Sequence, residues 1–145
     1  MAGSTIVVWG TPKTLEANGI GAGHLATGVA NDADYSIVAD GGNYPDAEFV
    51  LSVTFGSAPA AGASMLLFAQ PLNIDGTNDA ETNPASGVDV FVGAFIVNNV
   101  TSTQHMRCTG VDLPKEATYR VYNQSGVTMP SGWTLRVTPK SYGVD

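Results

Sequence analysis

His105 and Cys108 are the residues in this chain that come nearest to a nucleophile with its base. A cysteine reacts as its thiolate, which a neighbouring imidazole or cation favours, and Arg107 stands beside it. Their separation argues against that use. On an extended strand, residues an odd number apart point to opposite faces, so His105 and Cys108 diverge. Cys108 instead shares a face with Met106, and both are frequent core residues. The expectation is a buried, inert thiol. His24 lies in a glycine-rich segment with no assignable partner.

Four further sets have chemical potential. Asp75, Asn78, Asp79 and Glu81 supply oxygen ligands of the kind calcium takes six to eight of, but their spacing departs from the EF-hand loop. Acidic loop residues also serve solubility and turn formation. Glu48 and Asp89 are carboxylates on candidate strands, yet nothing in the sequence pairs them across a cleft as glycoside hydrolysis requires. Gly19, Gly21 and Gly23 lack the strand-turn-helix setting of a dinucleotide fingerprint. Trp9, Tyr44 and Tyr142 offer a sugar-stacking surface if exposed. No catalytic set, cofactor site or metal site is expected.

The elements that would position these residues are strands. Phe49, Leu51, Val53 and Phe55 alternate with Val50, Ser52 and Thr54. Phe91, Gly93, Phe95 and Val97 repeat the pattern, as do Tyr119 with Val121, and Trp133 with Leu135 and Val137. A period of two predicts pleated strands with one buried face. Strands are expected at about 47–55, 63–69, 88–97, 103–112, 117–123 and 132–138, with weaker N-terminal candidates at 4–9, 25–29 and 35–38. About eight strands at this spacing predict an all-β, antiparallel sandwich or barrel. Pro12 should end the first strand, because proline cannot donate to a ladder. The stretch from Leu15 to Gly23 reads either as an arm over another surface or as a loose edge strand, with at most a helical turn near Leu15. Arg120 and Arg136 fall opposite the apolar set and are expected on one outer face. Residues 71–87 form the longest break, beyond the usual length of a structureless connection.

Composition narrows the task. The chain has 145 residues, a formal net charge of −7 and 43% hydrophobic residues. Its length predicts one domain, 1–145, with 1–22 as a possible arm and 23–140 as the core. Only 13% of residues are charged, against roughly 25% in a typical domain. A neutral polar surface packs closely against a partner with few charges to desolvate. The acidic balance disfavours nucleic acid, and no apolar run approaches the roughly 20 residues that span a bilayer. One cysteine cannot form an internal disulfide, which fits a reducing compartment, and the N-terminus lacks a secretory signal pattern. The Asn-x-Ser/Thr matches at Asn99 and Asn123 read as accidental.

Several stretches together resemble the jelly-roll decoration, or cement, proteins of tailed-bacteriophage heads. They are Tyr44 to Leu51, Ala58 to Gly62 leading into Leu66-Leu67-Phe68, Phe91 to Phe95, Val111 to Pro114, and Gly132 to Pro139. The similarity covers about 44–140 and lies in scaffold signatures of strand, turn and strand. It implies a jelly-roll β-sandwich with an extended N-terminal segment. It also implies a non-enzymatic virion protein, made in the host cytoplasm, that binds the outside of a capsid and bridges major capsid protein subunits, as a homotrimer. Ile6, Val7, Val8 and Trp9 are then the candidate partner-binding residues, adding a strand or apolar plug to a neighbour. A carbohydrate-binding module or a tail adsorption domain is the alternative.

Overall fold

The computed structural model describes residues 3–16, 34–36, 44–71 and 90–144. Among them every regular element is a strand: β1 (Thr5–Trp9), β2 (Lys13–Glu16), β3 (Asp34–Ser36), β4 (Asp46–Val53), β5 (Ser64–Pro71), β6 (Val90–Ile96), β7 (Gln104–Gly110), β8 (Glu116–Gln124) and β9 (Thr134–Val144). All pairings are antiparallel and form two sheets. Sheet A runs β1-β9-β4-β7, with β2 also on β9, and sheet B runs β3-β8-β5-β6.

β1 and β2 are two halves of one edge strand. Trp9 lies opposite Lys140, and Lys13 opposite Val137, so Gly10-Thr11-Pro12 face only Thr138 and Pro139. The extra residue is a bulge. Counted this way the described residues form eight strands, in line with the expectation. Pro12 does end β1, but the ladder resumes beyond it, and where a helical turn was allowed near Leu15 the chain is extended. The segment 13–16 is therefore an edge strand; residues 17–23 lie outside those described, as do the strand expected at 25–29 and Ile37 and Val38 of the one at 35–38.

The core forms where the inner faces meet. Ala47, Phe49, Leu51 and Val53 of β4 alternate inward, as do Met65, Leu67 and Ala69 of β5, Ala117, Tyr119 and Val121 of β8, and Leu135 and Val137 of β9. Trp133 joins them, as its spacing predicted. Phe49 and Tyr119 meet across the sheets with ring centroids 5.0 Å apart. Close approach also needs Gly110: a Cβ there would fall 2.7 Å from Leu113 Cδ2 and 2.9 Å from Phe49 Cε2.

Two expectations about where side chains point also change. Phe91 was placed inward with Gly93 and Phe95, yet it is exposed. The register slips between Leu67 and Phe68, which face Gly93 and Phe91, so Val92 is a bulge that turns Phe91 outward, where its ring meets Phe68 edge-on at 5.8 Å. Arg120 and Arg136 do not share a face. Arg120 is on β8 in sheet B, buried, and donates to Gln70 Oε1 at 2.9 Å; Arg136 is on β9 in sheet A, exposed.

The last strand was expected at about 132–138, but β9 runs through Pro139 to Val144. The missing N–H costs little, because Pro139 sits beside the Gly10 bulge, where its carbonyl accepts from Gly10 N–H at 2.8 Å. The turn after β8 is held by a buried network. Asn123 Oδ1 accepts from Ser125 N–H at 3.0 Å and from its hydroxyl at 2.6 Å, while Asn123 Nδ2 donates to Val127 O at 2.7 Å. That side chain is not available for glycosylation in the folded chain.

Truncating Phe49 to Ala should lower stability by about 3–5 kcal/mol, read as a reduced urea midpoint. Gly110→Ala should cost about 1–3 kcal/mol by overpacking, with the same readout.

Candidate functional site

The outer face of sheet A and the strand pair at its end bring together the exposed residues best suited to binding. β9 pairs with β4 only as far as Lys140, opposite Asp46. Among the described residues Ser141 to Val144 continue with β1 alone, so β1 and the end of β9 form a two-stranded ribbon past the end of β4. Such a ribbon is marginal in water by itself.

Ile6, Val7, Val8 and Trp9 all lie on this ribbon, and all are exposed, Trp9 at 52%. They do not share one face. Val7 lies opposite Tyr142 and Trp9 opposite Lys140, while Ile6 and Val8 lie opposite Gly143 and Ser141. A Cβ on Gly143 would rest 3.5 Å from Val8 and 3.7 Å from Ile6, which locates those two side chains on the Gly143 side. The other side carries Val7, Trp9 and Tyr142, the last 59% exposed.

The Trp9 side is continuous with the outer face of sheet A. Lys140 Nζ sits 5.7 Å from the Trp9 ring centroid and 3.1 Å from Glu48 Oε1. The other oxygen of Glu48 lies 3.4 Å from Arg107 Nε and accepts from Thr109 Oγ1 at 3.2 Å. Arg136 follows on the same face, between Thr14 and Val50. Of the six basic residues of the chain, Lys13, Arg107, Arg136 and Lys140 belong to sheet A. Exposed Arg, Trp and Tyr on a strand surface are the composition of protein contact sites.

The candidate nucleophile and base separate as the strand period required. Cys108 turns toward the core, near Gly93, whose added Cβ would meet Sγ at 3.1 Å. Burial, and secondarily the charge of Glu48, push its thiol up from 9.0 to about 12. His105 is on the solvent side, its Nδ1 2.7 Å from Ser52 Oγ. Glu48 is occupied by Lys140, Arg107 and Thr109, not poised in a cleft. Tyr44 lies near Gly10, whose added Cβ would meet Tyr44 Cε2 at 3.1 Å, away from a role beside Trp9 as a shared stacking surface. Asp89, the acidic set Asp75, Asn78, Asp79 and Glu81, His24, and the glycines at 19, 21 and 23 lie outside the described residues. Among the described residues no three His, Cys, Asp or Glu side chains cluster as a metal site would need, and no helix is long and apolar enough to cross a membrane. Sequence reasoning missed that Arg107 and Arg136 would lie on the same sheet face as Trp9, because that placement depends on strand order.

Glu48→Gln should lower stability by about 1 kcal/mol, an effect that shrinks in high salt and is read by chemical unfolding. Iodoacetamide should alkylate Cys108 on the order of 100-fold more slowly than free cysteine at pH 8. Between pH 9.0 and about 12 the unfolded chain releases a proton that the folded chain keeps. Stability should therefore fall as pH rises through that window, and Cys108→Ala should remove that part of the slope. No protein-family model matches the chain, and no curated protein matches it.

Proposed function

We propose that this chain is a non-enzymatic structural virion protein that docks on the outer surface of a bacteriophage head and bridges major capsid subunits. The observation that carries the reading is the outer face of sheet A, where Trp9, Val7 and Tyr142 are exposed on the ribbon and Arg107 and Arg136 are exposed further along the same face. The strand order supports it: with β1 and β2 as one strand, the two sheets read 1-8-3-6 and 2-7-4-5, which we take as the double Greek key of a jelly roll. Each copy needs only modest affinity, because many copies engage one shell and bridging multiplies their hold. The place of action in this reading is the capsid surface, after synthesis in the host cytoplasm.

A second reading has its own observation. Trp9 and Tyr142 are diagonal neighbours across β1 and β9, close enough to present two rings to a glycan. Mixing purified protein with undecorated capsids separates the two: co-sedimentation supports the head-decoration reading, and retention on a glycan array without it supports the other.

Trp9→Ala should weaken capsid binding by about tenfold or more, as truncating an aromatic anchor does, with little change in thermal midpoint because the side chain is outside the core. Binding that survives both Trp9→Ala and Arg107→Glu would place the contact elsewhere.

A further inference from the structure

We propose that β1 is a self-pairing edge, which joins two copies of this chain about a two-fold axis through Val7. The inference goes beyond the docking reading and does not require it.

The register fixes which way the backbone points. Gly10 N–H donates to Pro139 O, and in an antiparallel ladder hydrogen-bonded pairs alternate with non-hydrogen-bonded ones. Val8 and Ile6 therefore bond to Ser141 and Gly143, while the N–H and C=O of Thr5, Val7 and Trp9 point away from β9. Among the described residues no strand lies on that side. An open row of this kind is a template for another strand.

The other edges are blunted. β6 carries the Val92 bulge, β7 presents His105, Arg107 and Thr109 as exposed residues, and β3 has three residues among those described. β1 has none of these devices until Gly10-Thr11-Pro12. Its side chains also suit a second copy. From Gly3 to Pro12 there is no ionisable residue, in a chain whose net charge is −7. Copies that repel elsewhere meet least resistance at this edge.

Antiparallel pairing about Val7 sets Val7 opposite Val7 of the second copy, and Thr5 opposite Trp9 in both directions. Each outward donor and acceptor then meets its counterpart. On one face, Tyr142 and Val7 of one copy continue into Val7 and Tyr142 of the other as an apolar row. On the opposite face, Ile6 of each copy lies beside Val8 of its mate. An interface in which the same residues serve both partners is the isologous kind that closes as a dimer. The pairing leaves the Arg107 and Arg136 face open on each copy.

The test is the solution mass of the full chain as a function of concentration, by sedimentation equilibrium, with two variants. Val7→Pro removes an outward N–H and leaves the β1–β9 ladder intact, since that N–H takes no part in it. It should raise the dimer dissociation constant on the order of 100-fold, with the far-ultraviolet circular dichroism unchanged. In the second variant, Val7→Cys, the directly opposed pair stands about 5.5 Å apart at Cα, within disulfide range. Mild oxidation should link it into a covalent dimer, while Ile6→Cys, whose counterpart is Val8, should not link. A monomer at millimolar concentration overturns the proposal. So does an assembly of any size that Val7→Pro leaves intact, or equal cross-linking of the two cysteine variants.

Discussion

Sheet A depends on the pairing of β9. One side of this strand takes β4 from Asp46 to Ser52, and the other takes both β2 and β1. Without β9 the edge strand would have no ladder, and the inner row of Phe49 and Leu51 would lose Leu135 and Val137 beside it. The same strand is longer than its partner β4, and that mismatch creates the ribbon. A single length difference thus separates the described residues into a packed body and a pair of strands that runs past it.

The period of two was legible because burial alternates with it. Every residue expected inward in β4, β8 and the first half of β9 is inward. The failures come from single-residue shifts. Val92 adds one residue against Leu67 and Phe68, which reverses the face of Phe91; a run of apolar residues gives no local sign of that, since either parity looks plausible. The Gly10 bulge acts likewise, letting an apparent stop at Pro12 become an interruption. It also hides β9's extension, since Pro139 ends a strand anywhere except beside such a bulge.

The site was legible in part. Ile6 to Trp9 could be recognised as an apolar N-terminal run, but not that Tyr142 and Lys140 would stand opposite it, or that Arg136 and Arg107 would share the face of Trp9. Those placements come from pairings between segments distant in the sequence, as in Glu48 with Lys140, 92 residues apart. Arg120 and Arg136 show the same limit from the other direction. Both sit at outward positions of their strands, and only the division into two sheets sends one to a buried place and the other to solvent.

The junction at Gly10 and Pro139 has a mechanical consequence. There the ladder lacks the bond that Pro139 cannot donate, β4 reaches its end one residue later, and an extra residue sits on the opposing strand. Bending is cheapest where the fewest bonds resist it, so the ribbon can change its angle at this joint while the packed body keeps its shape. A load on the ribbon would be taken up at this junction before it reached the aromatic core.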